Sequence, residues 1–297
     1  MSMKTAKYGT ADPPFTSQSD TRGVRELIKR MPLTGKIGMV IVATIIVTAL
    51  VAFIWTPHDP LQARPEVSLS GSSLQYPMGT DQYGRDVLST VMEGAQVALL
   101  VGIVAVSLAA IIGTPLGILA AMKRGWVEEI VMRSADIMLA FPALLLAIMT
   151  SAIMGASTLS AMLAIGLAAG PGFARVARAG TLQIMSSDFI AAARSAAQSE
   201  LRIARRHVLP NIFALVIIQS SVTFALAILA EAALSFLGLG TPPPEPSWGR
   251  MLQSAQDYLS TAPHLAIWPG VAIAVAVLGF NLLGDGLRDV LDPKMRK

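Results

Sequence analysis

The sequence predicts an all-α membrane protein with six transmembrane helices, and three observations support this fold class. The chain of 297 residues is 53% hydrophobic and only 14% charged, whereas soluble domains carry about 25% charged residues. Six stretches are apolar and long enough to cross the hydrocarbon core, which takes about 20 residues. Lysine and arginine are concentrated in alternate connections between these stretches, as is typical of a chain that crosses the membrane repeatedly.

The six predicted spans occupy most of the chain after a polar N-terminal tail. The first, "KIGMVIVATIIVTALVAFIW", begins too far from Met1 for a cleavable signal peptide, and no small-x-small cleavage site follows it. We therefore predict a cytoplasmic tail over residues 1–35 and a transmembrane domain over residues 36–297. The predicted spans are residues 36–55, 97–122, 130–154, 159–176, 212–237 and 265–283.

Basic residues predict the orientation of these spans. They precede the first span, lie between the second and third and between the fourth and fifth, and close the chain. The alternate connections hold only Arg64, Arg85 and Arg250. Because cytoplasmic loops carry the excess of lysine and arginine, both termini are predicted to be cytoplasmic. The long connections over about 56–95 and 238–264 are then outer loops.

The first outer loop contains Gly-Thr-Asp and Gly-Arg-Asp sequences that are typical of turns, and Asp81 or Asp86 can cap helices there. In the second outer loop, Trp248 and Tyr258 suit the membrane interface.

The N-terminal tail contains a candidate interfacial helix. Val24, Leu27, Ile28 and Met31 follow the i, i+3, i+4, i+7 pattern, with basic residues between them. An apolar stripe flanked by basic residues is typical of an amphipathic helix that lies in the lipid headgroup layer. An ordinary juxtamembrane tail is the alternative.

The chain lacks the residues that several classes of chemistry require. The chain has no cysteine, which excludes disulfides and cysteine nucleophiles, and its three histidines show no metal-ligand spacing. The phosphate-binding pattern G-x-x-x-x-G-K-[ST] is also absent. We therefore assign no catalytic residue, no metal ligand, no cofactor and no nucleic-acid partner to the chain. Any ATP and magnesium that drive transport are expected on another subunit.

The connection between the fourth and fifth spans, over about 186–210, is rich in alanine and arginine. Asp188 can cap a short helix whose alanines allow a partner surface to approach closely. Farther on, Leu201, Ala204 and Val208 are predicted to share one helix face and the arginines another, before Pro210 ends the element. We interpret this connection as a docking site for an ATPase subunit, although an incidental helix in a basic loop is the alternative. The residues assigned to ATPase coupling are Asp188, Ala191, Ala192, Ala193, Arg194, Ala196, Ala197, Ser199, Leu201 and Arg205.

Proline and glycine interrupt several spans, for example at Phe141-Pro142 and Gly170-Pro171-Gly172. Tight packing explains any one of these sites, but together they favour a bundle that changes shape. The pair Gly166 and Gly170 predicts a close helix contact. Polar residues within spans mark pathways or structural pairs, and both roles are open for Glu231. The residues assigned to a translocation path are Met138, Phe141, Gln219, Ser220 and Glu231.

The connection over about 186–210 also resembles a known family motif. "AAARSAAQSELRIARRHVLPN" is similar to the "EAA" loop of ATP-binding-cassette (ABC) importer permeases. "GTDQYGRDVLSTVMEGAQVALLVG", "EAALSFLGLGTPPPEPSWGRML" and "NLLGDGLRDVLDP" resemble the C-type permease of dipeptide, oligopeptide and nickel importers, in the expected order. The resemblance covers nearly the whole chain from about Ile37. Two positions depart from the motif, since Ala191 stands where the family has glutamate and Ala197 where it has glycine.

The resemblance implies the type I ABC importer permease fold, with a cytoplasmic coupling helix, in the inner membrane of a bacterium. The implied partners are a second homologous permease, two ATP-binding subunits, an extracytoplasmic substrate-binding protein and the lipid bilayer. Short peptides are the expected substrate, because no histidine cluster suggests nickel. Nickel and glutathione are the alternatives.

Two rival functions belong to other classes. "LGDG" near the end of the last span is similar to the G-x-G-D site of intramembrane aspartyl proteases, but here the motif is only Gly-Asp-Gly. A stand-alone channel or secondary carrier is the other rival. It would move substrate without an ATPase partner.

Overall fold

The computed structural model describes residues 29–291. Residues 31–291 lie within one compact unit. The predicted interfacial helix falls mainly outside the described residues, since only its last position, Met31, is among them. Within residues 29–291 the regular structure is entirely helical.

Nine helices account for the described bundle. Two single turns of 3-10 helix, Pro65–Val67 and Gln256–Tyr258, lie in the connections. Five helices are each long and apolar enough to cross a membrane. A bent pair, Gly125–Ala140 with Ala143–Met154, brings the number to six if the pair counts as one span. The helices are α1 (Leu33–Ala52), α2 (Val87–Lys123), α3 (Gly125–Ala140), α4 (Ala143–Met154), α5 (Thr158–Met185), α6 (Asp188–Ser195), α7 (Glu200–Phe236), α8 (Trp248–Ala255) and α9 (His264–Leu291).

The third predicted span, residues 130–154, is not one straight helix. It divides into α3 and α4, whose axes differ by 87°. The break falls at Phe141-Pro142, where Phe141 is extended with φ −84° and ψ 133°. A proline disfavours helical backbone at the residue before it, so α3 ends here. The sequence located the interruption, and the two helices together cover the predicted third span.

The fifth predicted span begins earlier than expected, because α7 continues through Pro210. A proline inside a helix lacks the N–H that would reach the carbonyl four residues before it. The helix adapts with a five-residue π-turn over Ala204–Val208. The side chain of Asn211 also donates a hydrogen bond of 2.6 Å to the carbonyl of His207. The prediction that Pro210 ends the preceding element was therefore wrong, and α7 is continuous from Glu200 to Phe236.

Close contact between α2 and α5 depends on two glycines of α2. A β-carbon at Gly113 would overlap the carbonyl oxygen of Gly170, and one at Gly117 would overlap that of Ala174. These glycines form a second small-x-x-x-small pair, on either side of Pro115. The predicted pair behaves differently, because Gly166 packs against α2 whereas a β-carbon at Gly170 would meet open space. The helices therefore approach through the α2 pair.

Helix α1 packs antiparallel to α9 by the same device. A β-carbon at Gly38 would overlap the backbone of α9 near Leu283. The aromatic rings of Phe224 and Phe280 stack with centroids 4.1 Å apart, which joins α7 to α9. Outward-facing side chains such as Leu50 and Ile111 are apolar and exposed. An apolar exterior over helices of this length indicates a surface in contact with lipid.

Candidate coupling site and the loop-end network

A helical hairpin projects from the bundle between α5 and the long part of α7. We call residues 188–208 the hairpin and the end of the bundle that carries it the hairpin end. Ile190, Ala193, Ile203 and Val208 of the hairpin are buried in one apolar cluster with Ile118, Ala177 and Ile212 of the spans. The hairpin is therefore anchored to the bundle by apolar packing on one side, while its other side is exposed.

The turn of the hairpin has the hydrogen bonds of a Schellman motif. The N–H of Gln198 donates to the carbonyl of Ala193 at 3.2 Å, and the N–H of Ala197 donates to that of Arg194 at 2.9 Å. Ala197 has φ +53°, in the left-handed region. Glycine is the usual residue at this position because it has no β-carbon. The alanine that replaces the family's glycine therefore occupies the one position of the turn that requires glycine-like backbone.

Polar side chains fasten the two arms of the hairpin together. Arg194 Nε lies 3.0 Å from Glu200 Oε1 in an ion pair that is about half exposed. His207 Nε2 lies 3.3 Å from Gln198 Oε1. Ser199 caps α7 by accepting a hydrogen bond from the N–H of Arg202 at 3.4 Å. These bonds hold the arms in a fixed relation to each other.

The structure exposes nine of the ten residues assigned to coupling and buries the tenth. Ala193 is only 5% exposed and packs against the spans. Asp188 is the first residue of α6, and the cap position belongs to Ser187, so the predicted capping role is wrong. Leu201 is 68% exposed whereas Val208 is fully buried, because the π-turn shifts the register between them. The nine exposed residues are Asp188, Ala191, Ala192, Arg194, Ala196, Ala197, Ser199, Leu201 and Arg205.

Glu231 lies at the opposite end of α7, in a closed network of side chains. We call that end, which carries residues 53–86 and 237–263, the loop end. Glu231 is 2% exposed and accepts hydrogen bonds from Ser235 at 2.6 Å and Thr241 at 3.4 Å. Ser235 in turn accepts a bond from the Thr241 N–H at 2.9 Å. The carboxylate ties the start of the second loop to α7. These contacts give Glu231 a structural role, and its place along a path stays a prediction.

The first loop is also tied down by buried polar residues. Asp86, 1% exposed, caps α2 by accepting bonds from the N–H and hydroxyl of Ser89 at 3.1 and 2.5 Å. The predicted capping by Asp86 is confirmed. Asp81 accepts two backbone bonds, from Tyr83 and Arg85, both at 2.8 Å. Burial raises the pKa of the Asp81 carboxyl above its ordinary value, against the opposing effect of these bonds.

Trp248 joins α8 to the start of α2, whereas the sequence predicted that it faces a membrane interface. Its side chain is 3% exposed, and its Nε1–H donates to the carbonyl of Val91 on α2 at 2.9 Å. Gly94 gives the indole room, since a β-carbon there would crowd the ring. The sequence marked these residues only as turn chemistry, and nothing in its spacing indicated that α8 packs against the start of α2.

The remaining residues assigned to a path fall into two pairs. Met138 and Phe141 are exposed on α3 and at the bend that follows it. Gln219 lies beside Gly172 of α5 and donates to Thr223 at 3.2 Å. Ser220 donates to the carbonyl of Val216 at 2.8 Å, within its own helix. No hydrogen bond among residues 29–291 joins the two pairs, so their place along a path stays a prediction.

A bundle of apolar helices with an exposed hairpin anchored between two spans defines a class: the membrane permeases of ABC importers. The family model for the "Binding-protein-dependent transport system inner membrane component" matches residues 113–297. The chain belongs to this family. It is a multi-pass membrane protein and a permease subunit, and such permeases work with ATPase and substrate-binding partners.

Curated relatives resemble the chain over most of its length. A dipeptide transport system permease protein, DppC, of Alkalihalophilus pseudofirmus is 39% identical over 95% of this chain and 92% of its own. A putative peptide transport system permease protein of Brucella suis is 41% identical over 92% of this chain and 91% of its own. A glutathione transport system permease protein, GsiD, of Escherichia coli is 42% identical over 86% of this chain and 84% of its own.

A solved structure supports the fold independently. A chain of the MetNI methionine ABC transporter in an inward-facing conformation superposes with a TM-score of 0.58 at 20% identity. The match covers 68% of this chain and 96% of that one. At this level of identity the likeness concerns the fold alone, and it confirms the predicted type I ABC importer permease fold.

Proposed function

We propose that the chain forms half of the translocation path of an importer for short peptides. Its partners in this proposal are a second homologous permease, two ATP-binding subunits that hold the ATP and magnesium, and an extracytoplasmic substrate-binding protein. Both termini and the hairpin then lie in the cytoplasm, in agreement with the basic residues of that end. Two of the relatives described above carry peptide or dipeptide transport in their names, which supports the substrate class.

The observation that carries the proposal is the hairpin and its direct continuity with α7. The hairpin presents an exposed surface of small side chains, chiefly Ala191, Ala192 and Ala196. Small side chains let another protein approach the helix backbone closely. Its buried face is packed on the spans through Ile190 and Ile203. A partner that moves the exposed surface therefore also moves the spans.

The α7 helix gives the movement a route to the far end of the bundle. It is 37 residues long, which corresponds to about 55 Å at 1.5 Å per residue. No loop interrupts it, and the π-turn near Pro210 is its only irregularity among the described residues. At its far end the Glu231 network attaches the second loop. ATP-driven closure of the ATPase subunits would thus reorient helices at the hairpin end and the loops together.

The loop end offers a place for the substrate-binding protein. A recess of about 180 Å³ lies between the two outer loops. Asp81 and Arg85 of the first loop and Glu245 and Arg250 of the second line it. Charges of both signs on loops held by buried hydrogen bonds suit a protein partner that docks and releases. We assign this recess to the contact with the binding protein.

Replacing Ala192 with tryptophan tests the coupling role. The exposed indole would block close docking, so we expect peptide uptake per ATP hydrolysed to fall about tenfold, equivalent to roughly 1.4 kcal/mol of coupling. The measurement uses the complete transporter with its binding protein in proteoliposomes. Ala192→Ser, which keeps the side chain small, is the matched control and should retain coupling. Equal coupling in the tryptophan variant would contradict the proposal. Ala193 is unsuitable because it is buried against the spans.

The substrate class is tested separately. We expect dipeptides and short oligopeptides, delivered by the cognate binding protein, to stimulate ATP hydrolysis by the complete transporter. Glutathione is the second candidate, because the GsiD relative matches at similar identity. Stimulation by glutathione and not by other peptides would change the assigned substrate and leave the permease role intact. Uptake without any ATPase subunit would instead favour a carrier.

A further inference from the structure

An apolar groove lies between α2 and the first half of α7 at the hairpin end. Its volume is about 840 Å³, within the range of about 300–1,000 Å³ that is usual for ligand sites. Ile118 and Leu119 form one wall and Leu209 and Phe213 the other. Phe213 is 56% exposed, so the groove is open along the side of the bundle. Its position within two membrane-spanning helices places it against lipid rather than water.

The groove leads into a basic recess. This recess has a volume of about 530 Å³ and shares Leu201 and Arg205 with the groove. Arg202 and Arg206 also line the recess, and Lys123 stands at the same end of the groove. The apolar and the basic parts are therefore two ends of one continuous surface.

Within residues 29–291, no carboxylate compensates the positive charge of this recess. Across residues 29–291, no carboxylate lies within 4.0 Å of Lys123, Arg202, Arg205 or Arg206. Glu200 borders the groove, but its charge is paired with Arg194 at 3.0 Å. Four cations at the mouth of an apolar groove thus face outward without an anionic partner.

We propose that this surface binds one anionic phospholipid, with an acyl chain in the groove and the phosphate on the arginines. Guanidinium groups bind phosphate oxygens by paired, charge-assisted hydrogen bonds. Basic pockets at the ends of membrane helices attract anionic headgroups at about 1 kcal/mol per basic residue. A water-soluble phosphate would leave the groove empty. The proposed ATPase contact is chiefly the alanines of α6, and Leu201 and Arg205 are shared between the two surfaces. The inference does not depend on the transported substrate.

The bound lipid would stand beside the anchor of the hairpin. Arg205 belongs to the π-turn that connects the hairpin to the rest of α7, and Ala204 of the same turn borders the groove. Neutralising the arginines there lowers their mutual repulsion and favours the packed position of the hairpin. The lipid is therefore expected to stabilise the hairpin where it joins the spans.

Lipid retention by the complete purified transporter tests the site. The complex is equilibrated with mixed palmitoyl-oleoyl phosphatidylglycerol and phosphatidylcholine, washed with detergent, and its retained lipids are counted by mass spectrometry. We expect selective retention of phosphatidylglycerol. Arg202→Gln and Arg205→Gln should each weaken it about fivefold, and Leu119→Trp should weaken it by filling the groove without a change of charge. Arg288→Gln, an exposed arginine on α9 at the same end, is the charge-matched control.

Two results would overturn the proposal. One is a lack of specificity. Equal retention of both lipids would show no preference for the anionic headgroup, and a loss of phosphatidylglycerol in Arg288→Gln as large as in the Arg202 and Arg205 variants would show a general effect of charge. The other is occupation of the groove by the second permease. Because the chain has no native cysteine, Ile111→Cys gives a single thiol in this chain for photocrosslinking, with the unsubstituted chain in the complete transporter as the control. Crosslinks to phospholipid support the site, and crosslinks to the partner permease alone exclude it.

Discussion

The hairpin end and the loop end of the bundle are stabilised by different kinds of interaction. The hairpin is anchored by apolar side chains, and its exposed polar contacts, such as Arg194 with Glu200, are about half accessible to solvent. The loop end is fixed by buried hydrogen bonds around Glu231 and Asp86. Apolar contacts tolerate small sliding motions, whereas a buried hydrogen bond is directional and costly to leave unmade. One end is therefore suited to being displaced, and the other to carrying its loops as a unit.

Removing the Glu231 carboxylate should have the largest effect on this difference. Glu231→Leu leaves the hydroxyls of Ser235 and Thr241 without their buried acceptor, and we expect a loss of about 2–4 kcal/mol. Thermal unfolding of the transporter in nanodiscs measures the loss of stability, and limited proteolysis of residues 237–247 measures the protection of the loop. Glu245→Gln, on an exposed part of the same loop, is the control. Unchanged protection of the loop in the Leu variant would show that the network does not hold it.

Loss of the cap of α2 should rank second. Asp86→Ala removes the acceptor for the N–H and hydroxyl of Ser89, which should cost about 1–2 kcal/mol. Hydrogen exchange of the first turn of α2 is the most direct measurement. Asp86→Asn retains one acceptor oxygen and should lose less. If the alanine and asparagine variants exchange alike, the cap is not the reason for the burial of Asp86.

Glycine at the hairpin turn should have a smaller effect, of opposite sign. The left-handed backbone of Ala197 is strained because of its β-carbon, so Ala197→Gly should stabilise the turn by about 1 kcal/mol. Slower hydrogen exchange over residues 188–200 in the complete transporter would show this. The neighbouring Ala196→Gly, at φ −81°, should not stabilise the turn. A glycine at position 197 that speeds exchange would contradict the strain assigned to that residue.

The smallest effect is expected for the ion pair across the hairpin. Arg194→Gln removes a pair that is about half exposed on both sides, and such pairs contribute less than about 1 kcal/mol. The change should shrink further at high salt, since solvent ions screen exposed charges. Thermal unfolding at low and high salt measures both expectations. A loss as large as that of Glu231→Leu would remove the distinction between the two ends.

The sequence predicted the features that depend on composition and local pattern. Apolar length located the spans, and the Asp86 cap followed from helix-start chemistry. Phe141-Pro142 was recognised as an interruption, but the 87° bend depends on what packs around the two halves. Pro210 misled the prediction, because a π-turn and the Asn211 side chain satisfy the groups that a proline usually leaves unpaired.

The candidate site shows the same limit. The alanine-rich pattern located the hairpin, yet it could not show that Ala193 faces the spans while Ala192 faces outward. Helix periodicity gives relative positions on one helix, but the direction of the buried face is set by contacts with distant residues such as Ile118. The sequence left two roles open for Glu231, since its partner Thr241 reaches it only through the fold of the second loop.

We expect α7 to pivot near the bond from Ser221 to the carbonyl of Phe280, at 2.7 Å. Ser221 lies roughly 31 Å along the helix axis from Glu200 and roughly 22 Å from Phe236. A rigid rod held at that point has two unequal arms. When the hairpin is displaced, the second loop then moves in the opposite direction, by roughly two-thirds of that distance. We expect that closing the bundle at the hairpin end by this motion opens it at the loop end.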